Sequence, residues 1–417
     1  VTKSSAALVE DLVVDSLGSQ ADGVAPGPVY VPLTLPGERV RVERHGERAD
    51  LLEVLSPSAD RIAPACPHYG ECGGCALQHW AQAPYLAWKA EQVRLALGRE
   101  RIETEIAAAV AVQPGTRRRL ALHARPGKGG AKLGFKARRS WRLVDIAACS
   151  VADPRLVAAL PALERLAAPF LEHPKSAPTL HVTLTATGLD VDVTGVERRS
   201  GGLSADARVR AAAAAQAADM ARVSLAGEIV YQARLPMVRL GPAAVALPPG
   251  AFLQATPQAE AAMAALAVEA VRGAGRIADL YCGVGTFTFR LAEVAPVYAA
   301  DSAAPAVRAL TAALATAPGL KSITAEARDL VRRPVLASEL KKIDAVVFDP
   351  PRAGALEQAG EIGRSTAQRV VGVSCNPATF ARDARILTDA GFRLDRVAPV
   401  DQFLWSPHIE LVGVFSR

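Results

Sequence analysis

From about residue 241 to residue 417 the chain alternates short apolar runs with helix-length amphipathic stretches. Strands are expected at 276–280, 297–300, 344–348 and 369–374, and helices at 257–271, 287–294 and 304–315. This rhythm specifies an α/β fold with a doubly wound, Rossmann-like parallel sheet. In such sheets ligands gather outside the carboxyl ends of the strands. The residues just after each apolar run are therefore the first place to look for chemistry.

The run Asp279-Leu280-Tyr281-Cys282-Gly283-Val284-Gly285-Thr286-Phe287 leaves the first of these strands and enters a helix. Gly283 and Gly285 let the backbone turn sharply and bring a ligand close. The next strand ends at Asp301, about twenty residues on, where an acid can accept both ribose hydroxyls of a nucleoside. The loop has only G-x-G and lacks the third glycine of G-x-G-x-x-G. A dinucleotide needs its pyrophosphate held at the helix N-terminus, and S-adenosylmethionine has none. The loop therefore favours S-adenosylmethionine over NAD.

Asp349-Pro350-Pro351-Arg352 and Ser374-Cys375-Asn376-Pro377 each follow another apolar strand, at the same expected edge. Amino-group methyltransferases often place an aromatic residue after the two prolines to stack on a base. Arg352 stands there instead. A cysteine at this edge suits a different task. Carbon 5 of uracil is too weak a nucleophile to take a methyl group directly. A thiolate adding to carbon 6 turns the ring into an enolate, and a base must later remove the carbon 5 proton. Cys375 is the candidate nucleophile. Near the C-terminus, His408 and Glu410 lie two apart and would share a face of a strand. Glu410 is assigned as the base with His408 supporting, and the reverse assignment stays open.

Upstream, residues 1–60 alternate short β-prone runs with turn residues, which indicates a small OB-like β-barrel. Residues 61–240 read as a central α+β domain, with a helix expected at 85–97 and a hairpin around Thr187-Gly188. From Arg117 to Arg142 this region carries ten Lys and Arg and no acid, the pattern of a phosphate-tracking surface. The net charge of +6 fits a polyanionic partner. No apolar run reaches the length of a membrane span, and 1–11 lacks the order of a signal peptide. A cytoplasmic protein is expected, whose six cysteines are thiols, ligands or nucleophiles rather than disulfides. Cys66, Cys72 and Cys75 form C-x5-C-x2-C, and Cys149 lies after the basic segment. Four thiolates can hold an iron-sulfur cluster or a zinc ion, and spacing alone does not choose.

Taken in order, these motifs resemble the RNA 5-methyluridine methyltransferases, in particular the iron-sulfur branch that acts on 23S ribosomal RNA. The resemblance spans nearly the whole chain. It implies a TRAM domain over 1–60, an iron-sulfur and RNA-binding domain over 61–240, and a class I methyltransferase domain over 241–417. It implies a 4Fe-4S cluster on Cys66, Cys72, Cys75 and Cys149. It implies cofactor or site contacts from Gln254 (in the Phe252-Leu253-Gln254 run), Tyr281, Asp301 and Asp349, with Cys375 as nucleophile and Glu410 as base. The implied partner is RNA, bound by a monomer with no membrane. Transfer-RNA members typically lack the barrel and the cluster, so ribosomal RNA is the expected substrate. A transfer-RNA enzyme and a non-catalytic RNA-binding assembly factor are the alternatives. Three departures stand out: Thr256 and Thr286 where the family often has asparagine, and Leu404-Trp405 for a proline-containing pair.

Overall fold

Three large sheets and a two-stranded one, Met237–Leu240 with Ala243–Ala246, carry the chain in a computed structural model that describes residues 8–128, 130–197 and 202–417. The largest has eight strands in the order Ile323–Ala327, Val297–Asp301, Ile277–Leu280, Ala345–Phe348, Arg369–Ser374, Glu410–Ser416, Arg393–Val400 and Glu105–Ile106. The first five run parallel, and Glu410–Ser416 is antiparallel to both its neighbours. All four residues of Ile277–Leu280 and of Ala345–Phe348 are buried. Strands covered on both faces read as near-continuous apolar runs, interrupted here only by Asp279, which is why these were legible. Five helices flank the sheet: Pro257–Ala270, Thr288–Leu291, Ala304–Ala313, Leu356–Arg364 and Pro377–Asp389. The helix expected over 287–294 is regular only at Thr288–Leu291 and continues as hydrogen-bonded turns to Ala295.

The expected domain boundaries miss one exchange. The helix Gln82–Arg99 packs on Pro377–Asp389 and Arg393–Val400. Its Val93, Ala96 and Leu97 share a core with Phe392, Leu394 and Val397. Glu105–Ile106 then adds the last rung to the eight-stranded sheet. Residues read as central in sequence thus complete the C-terminal body.

The segment 119–232 forms a seven-stranded sheet ordered Leu143–Asp145, Gly130–Lys136, Arg119–Gly127, Thr179–Thr185, Gly188–Thr194, Arg222–Leu225 and Glu228–Gln232. The expected hairpin is its centre, with Thr185 paired to Gly188. The helices Leu160–Ala167 and Ala205–Ala217 share its core, and the alanine run contributes buried Ala211 and Ala215. Six strands between Leu8 and Ser56 make the third large sheet. The continuous stretch 8–17 pairs Leu8–Val13 with Arg39–His45, and Ser16–Leu17 with Asp22–Ala25. One bent stretch therefore joins both ends of the sheet, which curls it into a small barrel around Val14, Val29, Val31, Val40 and Val42. Among the described residues, no helix is long and apolar enough to cross a membrane.

Candidate active site

The glycine loop is built as its sequence requires. Tyr281, Gly283 and Gly285 have φ of +63°, +53° and +97°. A Cβ on Gly285 would lie 2.5 Å from the Phe289 ring, so only glycine fits. A Cβ on Gly283 would meet nothing within 4 Å, because that side of the loop is open. Tyr281 adopts the left-handed region without being glycine, a strain typical of ligand sites. Asp301 ends its strand and accepts from the Gly283 N–H at 2.9 Å and the Ala303 N–H at 2.7 Å. A carboxylate has about four lone-pair sites, so capacity remains for a pair of hydroxyls. Beneath the loop, Asp279 is fully buried and accepts from Thr288 Oγ1, while its Oδ1 has no partner. Burial, with the Asp349 and Asp301 charges, pushes its carboxyl up to about 7. Thr286 is nearly buried and its carbonyl accepts from Arg290 at 3.2 Å. Thr256 caps the helix Pro257–Ala270 by accepting from the Ala259 N–H at 3.1 Å. Both departures are thus accommodated locally.

A relay of carboxylates and amides runs from this loop to the C-terminal strand. Gln254 Nε2 donates to Asp349 Oδ2 at 2.9 Å. Gln402 Nε2 donates to Gln254 Oε1 and to Glu410 Oε2, each at 2.8 Å, and Gln402 Oε1 accepts from the Ala255 N–H at 2.8 Å. Gln254, Gln402 and Glu410 are all buried. Burial first, then the Asp349 charge, drives Glu410 well above its ordinary range, and the Gln402 bond pulls it back. Burial and the Asp301 charge raise Asp349 as well, against its bond from Gln254. Both carboxyls are thus made easier to protonate than a solvated one. Sequence reasoning missed Gln402. Its only local signal is an amide beside Asp401 in an otherwise apolar stretch.

Cys375 follows Arg369–Ser374 and precedes Asn376, whose side chain caps the helix Pro377–Asp389. It is partly buried and free. Burial, Glu410 and Asp349 raise its thiol, and Arg352 opposes them. The thiol lines a cavity of about 480 Å³ that Arg352, Phe403 and His408 also line. Cys66, Cys72, Cys75 and Cys149 line the same cavity and none is in a disulfide. Among the described residues, no three His, Cys, Asp or Glu side chains converge on a single metal-sized point.

His408 is not where the alternation put it. The strand begins at Glu410, so His408 lies in the preceding loop, exposed, edge-on to the Phe403 ring. Partial desolvation of its ring by the surrounding wall, with the Arg352, Lys89 and Arg117 charges, still lowers its pKa. That loop is pinned from outside the sheet. Buried Lys89 bonds Asp401, the Phe403 carbonyl at 3.1 Å and the His408 carbonyl at 2.9 Å. Tyr85 donates to Asp401 at 2.7 Å. Trp405, at φ +58°, accepts from the Ala76 and Leu77 N–H groups and packs with a cluster that includes Trp80 and Trp88. It fastens the cysteine segment rather than lining the cavity.

The basic segment is less bare than its sequence suggests. Arg118 pairs with Glu260, Arg125 with Asp145, Lys132 with Glu164, Arg138 and Arg139 with Asp22, and Arg142 with Glu71. Among the described residues Arg117, Arg119, Lys128 and Lys136 have no such carboxylate.

Against this geometry, residues 244–417 match the family model described as tRNA (Uracil-5-)-methyltransferase. A Caulobacter vibrioides protein named as an uncharacterized RNA methyltransferase is 68% identical over 98% of this chain and 100% of its own. The 23S rRNA (uracil(1939)-C(5))-methyltransferase RlmD of Chromohalobacter salexigens is 32% identical over 100% of this chain and 91% of its own. The chain belongs to the RNA uracil-5 methyltransferase family. Among solved structures, the Pyrococcus abyssi tRNA (uracil-54, C5)-methyltransferase in complex with S-adenosyl-L-homocysteine superposes with a TM-score of 0.74. It is 25% identical, over 97% of this chain and 99% of that one. This match corrects one expectation. A family member named for transfer RNA shares this architecture end to end, so length and domain content do not separate the two substrates.

Proposed function

We propose that this chain methylates carbon 5 of a uridine in 23S ribosomal RNA, with Cys375 as covalent catalyst. The observation that carries the proposal is the position of Cys375. Its thiol lines an open cavity at the carboxyl edge of the sheet, where Glu410 and Asp349 both act on it. Cys375 adds as thiolate to carbon 6 of the ring, which makes carbon 5 nucleophilic. S-Adenosylmethionine, when bound, supplies an electrophilic sulfonium methyl and leaves as S-adenosylhomocysteine. Glu410 removes the proton from carbon 5, and the ring expels the Cys375 thiolate, leaving 5-methyluridine. Gln402 and Gln254 position Glu410 and Asp349 for these steps. His408, in the cavity wall, is left to contact the target nucleotide rather than to share a face with Glu410.

The open side of Gly283, the strained Tyr281, the unfilled capacity of Asp301 and the orphaned Oδ1 of Asp279 fit a nucleoside cofactor. Asp301 holds its ribose, Tyr281, Gly283, Gly285 and Thr286 shape its cradle, and Gln254 and Asp349 border the reacting end. We assign a 4Fe-4S cluster to Cys66, Cys72, Cys75 and Cys149. Four free thiols bordering one roomy cavity are the donor set that supports this reading. The net reaction transfers no electrons, so the cluster's part is structural. The TRAM-like barrel of 1–60 and the sheet within 61–240 would grip the RNA, and 241–417 would carry the chemistry.

The likeness to the Pyrococcus abyssi enzyme favours a second reading, a uridine in transfer RNA. Methyl transfer to ribosomal and transfer RNA from a strain lacking the gene separates the two, and transfer to neither supports an assembly factor. Cys375→Ala abolishes turnover while RNA binding persists, and Glu410→Gln accumulates a protein–RNA adduct that survives denaturing electrophoresis. Full turnover in Cys375→Ala would end the covalent mechanism.

A further inference from the structure

Three of the cations left without a carboxylate share a second property: each sits over an aromatic ring. Arg117 lies 5.8 Å from the Phe403 centroid, Arg119 lies 5.2 Å from that of Phe252, and Lys136 Nζ lies 3.9 Å from that of Trp141. Phe403 lines the cavity with Cys375. The Trp141 pair stands outside it and has no part in the chemistry above. Trp141 is 87% exposed, the highest value among the large exposed apolar side chains of the described residues.

The loop that presents Trp141 is closed by its own hydrogen bonds. The Ala137 N–H donates to the Arg142 carbonyl at 2.8 Å, and the Arg142 N–H to Ser140 Oγ at 3.0 Å. Arg138 and Arg139 both reach across to Asp22 of the barrel. The Lys136 carbonyl accepts from the Gly73 N–H at 3.0 Å, and Gly73 lines the Cys375 cavity. The ring is thus fixed where the barrel, the cysteine segment and the seven-stranded sheet meet, beside the cavity. One face carries an ammonium and the rest of the ring meets solvent. Such a pairing of ring and cations is how proteins receive unstacked bases of single-stranded RNA.

We infer that Trp141 is a stacking platform for an unpaired nucleobase of the substrate RNA flanking the target uridine, with Lys136 beneath the ring and Arg142 beside it for the phosphate. This rests on the RNA reading above. The base slides onto the open indole face, and no covalent step is involved.

The test uses the purified full chain with two probes, a single-stranded dodecauridylate and a backbone of the same length without bases. Stacking contributes about 1–3 kcal/mol per base. Trp141→Ala should therefore weaken dodecauridylate binding by about 5- to 150-fold, leave binding of the baseless backbone unchanged, and be rescued by Trp141→Phe. With a methyl-accepting RNA, KM rises in the alanine variant while kcat holds. Equal losses for both probes would overturn stacking. So would an unchanged KM on an RNA that the wild-type protein methylates, or sedimentation showing a wild-type dimer that Trp141→Ala dissociates. If the wild-type protein neither binds nor methylates any RNA, the RNA reading itself has failed, not this assignment alone.

Discussion

Replacing Gln402 by leucine removes the amide that joins Glu410, the proposed base, to Gln254 while nearly keeping its volume. Glu410 then loses the one side-chain donor found for its carboxylate among the described residues, at 2.8 Å. A hydrogen bond to a charged acceptor contributes about 1.5–3 kcal/mol. Its loss lifts the Glu410 carboxyl further above its already raised position. The sign follows from its proposed role as a base. A higher pKa leaves less carboxylate at a given pH, so the deficit is about 10- to 100-fold at neutral pH and below, and closes as pH rises past the new value. The step that suffers is proton removal after methyl transfer, so the covalent protein–RNA adduct should build up. Single-turnover assays across pH, quenched and resolved on denaturing gels, read both effects. The orphaned Ala255 N–H costs a further ~1–3 kcal/mol of stability, which urea titration measures separately. An acid limb that stays in place with no adduct would refute Gln402 as the group that holds Glu410.

Lys89→Met leaves the Asp401 carboxyl buried without its cation and should lower unfolding free energy by about 3–5 kcal/mol in urea titrations. Adding Asp401→Leu should recover much of that loss, and no recovery would show that Lys89 matters for something else. Gly285→Ala forces a methyl to 2.5 Å from the Phe289 ring at φ +97°, so S-adenosylhomocysteine affinity, read by calorimetry, should fall at least tenfold, about 1.4 kcal/mol. Protein prepared without oxygen should be brown, absorbing at about 400 nm, and Cys149→Ser should bleach it. A colourless wild-type sample containing zinc would exclude the cluster. Because burial and carboxylates raise the Cys375 thiol, wild-type turnover should climb as pH rises above neutral. A rate that is flat or falls there would contradict a thiol resting protonated.

The parts of this site that were legible in the sequence are the local ones. Asp279 to Phe287, Asp349 and Cys375 each follow an apolar strand directly, so the periodicity that gives the strand also gives the edge. What escaped is non-local. Gln402 meets Gln254 across 148 positions, and Lys89 meets Asp401 across 312. No periodicity spans such intervals. His408 and Glu410 were set on one strand face because their spacing is two, yet the loop held by Lys89 delays the strand to Glu410. The basic segment looked unopposed because Asp22 lies more than a hundred residues earlier in the chain. The helix 82–99 was recognised as a helix but credited to the wrong body, since an amphipathic pattern says that a face is buried and not against what.

The rung formed by Glu105–Ile106 and the lysine seated on Asp401 bear on how the enzyme is made. Synthesis delivers the helix 82–99 long before the strands that give it a seat. Until those closing strands leave the ribosome, Tyr85 and Trp88 can pack on Leu17, Leu35 and Leu77, but Val93, Ala96 and Leu97 have no native seat and the nascent chain must shelter them. A fragment cut to the matched segment 244–417 would meet the converse problem, with a bare strand edge and a carboxylate stranded in oil. The catalytic half is therefore no detachable cassette, and any graft of it has to carry the early helix along.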